Sequence, residues 1–200
     1  MYVNEEYGVF GVFDGVGGVT GGHNASEKAA SIVGSITENY GIGSLNALRN
    51  ALIFANDGVR DEGGGGATTA VVGQIINDEF GKKLIFGCIG DSRIYIVREG
   101  EAYQITTDEG EGRYITNHLG RRDVPSSEVP KQLAEVRLRE GDQLVFCSDG
   151  ITGDKPEDAI PTSEMALIVS SAANPKEAAA ALSRRATKID DRTAVVVKTS

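Results

Sequence analysis

Cysteine is scarce in this chain, long apolar runs are missing, and basic residues are outnumbered by acidic ones. Two cysteines in 200 residues, Cys88 and Cys147, cannot build a disulfide framework, which favours a reducing, cytoplasmic setting. Each stands in an apolar run (LIFGCIG and LVFCSDG), so both are expected as reduced thiols in the core. No apolar stretch approaches the roughly 20 residues of a membrane span. The opening MYVNEEYGVF lacks the basic start of a secretory signal. Lys and Arg number 20 against 29 Asp and Glu, a net charge of -9. That balance argues against a general binder of nucleic acid or of an anionic membrane, since both need a basic footprint. An acidic chain can instead gather divalent cations where its carboxylates converge. No Pro- or Ser-rich linker, composition shift or internal repeat divides the sequence, so residues 1–200 are expected to form one domain.

What is present changes texture along the chain. Residues 7–13 are short, apolar and β-rich and end at a glycine cluster, which predicts a strand. Residues 25–39 place Ala25, Ala29, Ile32, Val33 and Ile36 at helical spacing. Residues 44–61 repeat that spacing with Leu45, Leu48, Leu52, Ala55 and Val59, behind Ser44 as an N-cap, and stop at the run Gly63–Gly66. Four short β-type runs follow, 67–76, 83–89, 92–97 and 101–105. Turn signals separate them (Asn77-Asp78, Gly90-Asp91, Glu99-Gly100), so they read as an antiparallel meander. Residues 143–147 and 193–197 are further strands; residues 163–173 and 175–187 are helices, the second opened by Asn174-Pro175. Helices in two blocks, with strands mostly beside strands, predict an α+β fold and not an alternating parallel sheet.

Three segments share one design, an apolar strand beside an aspartate and small residues. They are Val9–Gly15, Leu144–Gly150 and Asp190–Val197; Ile85–Arg93, with Gly90-Asp91-Ser92, resembles them. Hard divalent ions such as Mg²⁺ and Mn²⁺ prefer oxygen ligands, usually a few carboxylates and several waters. Aspartates on the ends of adjacent strands would be rigidly held, and small neighbours would let an ion and water approach. Two ions about 4 Å apart can share one carboxylate and activate a water between them. Asp-Gly after a strand is equally a common turn signal, and spacing alone leaves the turn reading and the metal reading both open.

The motifs as a set are more specific. Phe10–Gly18 (FGVFDGVGG) resembles the FGVFDGHGG motif of PPM-type, protein phosphatase 2C-like enzymes. Gly66–Ala70 is similar to that family's GSTA strand, Ile89–Arg93 to its VGDSR motif, and Arg98–Thr106 to its RNGKAxQLT hairpin. Phe146–Gly150 resembles the family's xCSDG motif and Asp190–Thr193 its terminal DNxT. The six stand in family order between residues 8 and 197. The resemblance implies a PPM-type four-layer sandwich, two antiparallel β-sheets flanked by α-helices. It implies a metal-dependent protein serine/threonine phosphatase that holds two Mn²⁺ or Mg²⁺ ions, with a third, weaker ion. By position, Asp14 would bridge both ions, with the Gly15 carbonyl completing the second. Asp149 and Asp190 would hold the first, with Asp191, where the family usually has Asn, nearby. Asp91 would join Asp149 at the third. Metal-activated water would attack the phosphoester directly, with no phosphoenzyme. A phosphorylated protein is the implied substrate, and a cognate Ser/Thr kinase system an implied partner.

The pattern also departs from the family. The family's Arg-x-x-Asn-Glu-Asp segment precedes the FGVFDG strand, whereas the first arginine here is Arg49. Asn4-Glu5-Glu6 imitates only the triplet and reads as a coincidental loop. A homodimer covering the strands expected there, and weak catalysis, are the corresponding expectations. Val16 stands at the family's motif histidine. His23 reads as a solvated histidine at a helix start and His118 as a local packing or capping residue. The stretch before Ile115–Gly120, which resembles the family's ITRALG, is short, so a substrate-selecting flap is expected to be reduced. Rival classes fail on spacing. Cys88 to Arg93 is one residue short of Cys-x5-Arg; Gly15–Gly21 has Thr20 where a dinucleotide loop needs glycine; Gly63–Gly66 lacks the Lys-Ser/Thr of a P-loop. A PPM-fold regulatory module without turnover, or a sporulation-type phosphatase acting on one small regulatory phosphoprotein, remains the alternative.

Overall fold

The computed structural model of the chain describes residues 1–17, 20–62, 64–111, 114–153, 155 and 157–199. Gly18 of the first motif and Gly63 of the glycine run lie outside the described residues. In chain order the elements are β1 (Tyr2–Asn4), β2 (Val9–Val12), α1 (Gly22–Tyr40), α2 (Leu45–Asp61), β3 (Ala70–Asp78), β4 (Gly81–Ile89), β5 (Arg93–Arg98) and β6 (Glu101–Gln104). There follow β7 (Gly110–Glu111), β8 (Tyr114–Ile115), β9 (Gln132–Arg137), β10 (Gln143–Cys147), α3 (Asp149–Thr152), α4 (Thr162–Ser171), α5 (Pro175–Arg185) and β11 (Ala194–Lys198).

Side-chain alternation along the strands divides these elements into layers. On β10, Leu144 and Phe146 point one way and Val145 and Cys147 the other; on β5, Ile94 and Ile96 oppose Tyr95 and Val97. Leu144, Phe146, Ile94 and Ile96 meet Phe10, Val12, Val71, Leu84, Phe86 and Cys88 in a central core between two sheets. One sheet has the order β1-β2-β3-β4-β9, the other β11-β10-β5-β6, and every neighbouring pair is antiparallel. The outer face of the first sheet packs on α1 and α2 through Ala29, Val33, Leu48, Leu52 and Ala55. The outer face of the second packs on α4 and α5 through Met165, Val169, Ala178 and Leu182. The result is the expected α+β, four-layer sandwich. Gly73 sits inside it: an added Cβ there would lie 2.8 Å from Leu84 and 3.0 Å from Phe146.

The helix signals hold. Ser44 Oγ accepts the Ala47 N–H at 3.2 Å, and Asn174 Oδ1 accepts the Glu177 N–H at 2.9 Å ahead of Pro175. The meander does not. β3 and β4 form a hairpin in the first sheet, β5 and β6 a hairpin in the second, and no ladder joins β4 to β5. Gly90-Asp91 is a corner between sheets and not a hairpin turn. Four strands carried no clear signal: β1, β9, and the two-residue strands β7 and β8, which pair only with each other. Asn4 ends β1, while Glu5 and Glu6 fall in the turn to β2, where Asn4 Oδ1 accepts the Tyr7 N–H at 3.1 Å.

Candidate metal centre

The corner, the ends of β2 and β10, and the loop before β11 meet at one end of the sandwich. After β2, the Asp14 N–H bonds Thr69 Oγ1 at 3.2 Å, and the Asp14 carbonyl accepts from the Thr69 N–H and from Thr68 Oγ1, each at 2.8 Å. Gly15 runs so close to the start of α1 that an added Cβ would stand 2.5 Å from the Gly22 backbone. Thr69 Oγ1 also bonds buried Ser92 Oγ at 2.6 Å, which ties Asp14 to the Asp91 corner. That corner needs the left-handed φ of 93° at Gly90. Glu109 holds it from both sides, accepting the Gly90 N–H at 3.1 Å and donating its own N–H to the Gly90 carbonyl at 2.9 Å. Arg93, the last residue of the IGDSR motif, grips Asp108 with Nε and Nη2 and the Gly153 carbonyl with Nη1. Its guanidinium is therefore committed to scaffolding.

Ser148 joins the other two aspartates. Its N–H donates to the Thr193 carbonyl at 3.0 Å, and its Oγ accepts the Thr193 N–H at 3.1 Å and donates to the Asp191 carbonyl at 3.2 Å. A Cβ on Gly150 would lie 2.0 Å from that same carbonyl. Glycine thus lets the 190–193 loop lie against the start of α3, and Asp190 comes beside Asp149. Asp14, Gly15, Asp91, Asp149 and Asp190 all line one cleft of about 520 Å³ with Val16, Thr69 and Ile115. Asp191 does not line it; it is exposed, with its backbone held by Ser148 and by Asp190 Oδ1.

The carboxylates are under electrostatic stress. Burial, then the charges of Asp149, Asp190, Asp91 and Asp191, push Asp14 up to about 7. Burial, then Asp149, pushes Asp91 up to about 6. A residue the sequence reading passed over relieves part of this. Lys188 Nζ bonds Asp149 Oδ2 and lies 2.9 Å from Asp190 Oδ2. Burial works to lower the Lys188 ammonium, but these bonds outweigh it and hold it charged. A lysine two residues before Asp-Asp in an acidic chain was the available signal. Among the described residues, no three Asp, Glu, His or Cys side chains close around a single point. The space between Asp149 and Asp190 holds the ammonium. The donor set is nevertheless carboxylate and carbonyl oxygen throughout, short of positive charge, and fits a hard divalent cation.

The other candidates lie elsewhere. His23 is an exposed residue of the first turn of α1, 3.4 Å from Glu27, and His118 bonds the adjacent Leu119 carbonyl at 3.0 Å. Cys88 and Cys147 are buried and free. Burial pushes both thiols up, Cys147 to about 12, so neither is a thiolate nucleophile near neutral pH. Among the described residues no helix is long and apolar enough to cross a membrane.

Two facing antiparallel sheets between helical layers, with strand-end aspartates gathered at one edge, define a PPM-type sandwich. The catalytic domain of PstP, solved with two manganese ions, superposes with a TM-score of 0.75 at 25% identity, over 94% of this chain and 86% of that one. The Streptococcus agalactiae serine/threonine phosphatase gives 0.77 at 25% identity over the same shares. In sequence, protein phosphatase PhpP of Streptococcus pneumoniae is 28% identical over 169 residues, 70% of this chain and 65% of PhpP. Serine/threonine protein phosphatase PstP of Mycobacterium tuberculosis is 28% identical over 171 residues, 74% of this chain and 32% of PstP. The chain thus spans less than two thirds of the length of either relative. No family model matches the chain. By fold and by these relatives, the chain is similar to the PPM-type protein phosphatases.

Proposed function

We propose that this chain is a metal-dependent phosphatase that hydrolyses phosphoserine and phosphothreonine in proteins. The observation that carries the reading is the convergence of Asp14, Asp91, Asp149 and Asp190 on one cleft in which Lys188 is the single cation facing four carboxylates among the described residues. In this reading Asp14, the Gly15 carbonyl, Asp149 and Asp190, with Asp191 beside them, would hold two Mn²⁺ or Mg²⁺ ions, and Asp91 with Asp149 would hold a weaker third. The ions would supply Lewis acidity, lowering the pKa of water and drawing charge from the phosphoryl oxygens. The chain's own part is placement. Thr68 and Thr69 fix the Asp14 backbone, Ser148 and Gly150 fix Asp190 against Asp149, and Gly90 with Glu109 fixes Asp91. Direct attack by water, without a phosphoenzyme, suits a cleft whose lining includes no cysteine, serine or histidine nucleophile among the described residues.

Support for the substrate class comes from relatives named as protein phosphatases. The partners in this reading are a phosphorylated protein, the kinase system that charges it, and a second copy of this chain. The second copy is argued from β11, an edge strand. Its residues Val195–Lys198 line a groove of about 550 Å³ with Val3, Phe10 and Ile75, and open edges of this kind recruit strands. Light scattering that shows a strict monomer would count against the dimer. Residues 1–200 are taken as one folding unit.

The testing experiment is hydrolysis of a phosphothreonine peptide with and without Mn²⁺, reversed by EDTA. Mn²⁺-dependent release of phosphate supports the reading. Mn²⁺ binding by calorimetry without turnover would favour a regulatory module instead, a reading that the Lys188 ammonium on Asp149 and Asp190 also suits.

A further inference from the structure

Lys188 is the only basic side chain among the described residues that line the cleft. We propose that it is the phosphate-binding cation of the site: its ammonium rests on Asp149 and Asp190 while those carboxylates lack metal, and takes an oxygen of the substrate phosphoryl group once they are loaded. The proposal rests on the phosphatase reading above.

The mounting of Lys188 suits this role. The Lys188 carbonyl accepts from Arg192 Nε at 3.3 Å and from Arg192 Nη2 at 2.8 Å, and Arg192 Nη1 reaches back to the Ser183 carbonyl at the end of α5 at 3.3 Å. The loop is therefore pinned through backbone acceptors, and the Lys188 side chain is free to re-aim without moving it. That pinning also settles direction. Ile189 is fully exposed, at 100%, while the Lys188 side chain next to it is only 15% exposed and reaches inward. A lysine is a compact point charge with three donors on a flexible four-carbon stem, which allows two stations a few ångströms apart.

Charge balance drives the exchange. The single ammonium pairs with two of the four clustered aspartates and balances one unit of their charge. Divalent cations on the same carboxylates would remove its partners and repel it. An anion entering the cleft then becomes its best counter-ion, and charge-assisted bonds to phosphate are among the stronger polar contacts. The remaining lining residues offer no competing cation. Thr69 and Thr187 are neutral, and Asp158 would repel an anion.

The test is inorganic phosphate titrated calorimetrically into the Mn²⁺-loaded full chain, in wild type and in K188M, which keeps the stem and removes the charge, and K188R. Phosphate binding should weaken about 10-fold in K188M and stay within about threefold of wild type in K188R. Mn²⁺ affinity without phosphate should be equal or tighter in K188M, because a competing ammonium has gone. Equal phosphate affinity in K188M and wild type, or no phosphate binding by wild type, overturns the proposal. So does loss of Mn²⁺ binding in K188M, which would make Lys188 part of the scaffold. The two readings fail separately. Lys188-dependent phosphate binding without peptide hydrolysis removes the phosphatase reading alone. Peptide hydrolysis with an unchanged KM and unchanged phosphate affinity in K188M removes the Lys188 assignment alone.

Discussion

Strand β10 carries an aspartate at each end, and the two are treated in opposite ways. Asp142, just before the strand, is 1% exposed and fully answered. Arg98 grips it with Nε at 2.8 Å and Nη2 at 2.7 Å, and the Arg139 N–H adds a third bond at 2.7 Å. Burial works to raise its carboxyl, but the Arg98 and Arg139 bonds win and hold it below the usual range. Asp149, just after the strand, faces Asp14, Asp91 and Asp190 across a cleft with one lysine for all four. At that end Asp14 rises to about 7. Burial is common to both ends; only the provision of positive charge differs. An aspartate that a fold uses for stability comes with its cation built in. A cluster left short of cations is the place where, in the function proposed above, divalent ions would supply the balance.

The largest expected effect breaks the cleft end. Asp14→Asn and Asp149→Asn should each lower Mn²⁺-dependent phosphatase activity by at least about 100-fold. Asp14→Asn should leave the metal-free chain at pH 8 at least as resistant to heat as wild type, because it removes a repelled charge. Near-normal turnover in either variant defeats the assignment. Arg98→Ala breaks the other end and should do the reverse. Stranding Asp142 should cost on the order of 3 kcal/mol, seen as an earlier single thermal transition, with activity per folded molecule unchanged. A drop in specific activity instead would mean that the two ends are not independent.

Acidity sharpens the same contrast. Asp14 and Asp91 keep protons in the folded chain up to about 7 and about 6, whereas the unfolded chain releases them near 3.8. Between those limits the folded state binds more protons, so stability falls as pH rises. Asp142 works oppositely, contributing stability above its ordinary range that is lost as pH falls through its lowered one. The EDTA-treated chain should therefore melt highest near pH 4–5 and progressively lower toward pH 8, with Mn²⁺ reversing the loss. In Asp14→Asn the decline should flatten. A melting temperature that rises steadily from pH 5 to 8 in EDTA would contradict the electrostatics described here.

Much of this was legible in the chain itself, for reasons that also explain the rest. Residues 144–147 are an unbroken apolar run behind the polar Gln143, and β10 spans Gln143–Cys147. The motif aspartates converge because each lies within a few residues of a strand end of one of the two main sheets. The corner at Gly90 was misread because Gly-Asp after a strand signals a hairpin and a change of sheet equally well. What decides is Glu109, nineteen residues away, which locks the corner. β9 was missed because Gln132–Arg137 is a half-buried edge strand of mixed polarity. Its place is set by pairing with β4, which leaves no local periodicity to read. Lys188 was missed because a lysine in a loop is usually solvated; only the fold brings it to Asp149.

The smallest effects come from two serines of similar local chemistry. Ser44 caps α2 away from the cleft, and Ser44→Ala should cost about 1 kcal/mol of stability with no change in specific activity. Ser148 is buried and makes three bonds, two of them from Oγ to the backbone beside Asp190. Ser148→Ala should cost about 1–3 kcal/mol, and it should also weaken Mn²⁺ binding several-fold, because the loop that presents Asp190 loses its Oγ contacts to the residue that precedes Asp149. Calorimetric Mn²⁺ titration of both variants separates the cases. Equal Mn²⁺ affinity in the two would mean that the close fit of Gly150 under the Asp191 carbonyl positions Asp190 unaided, and that the hydroxyl serves stability alone.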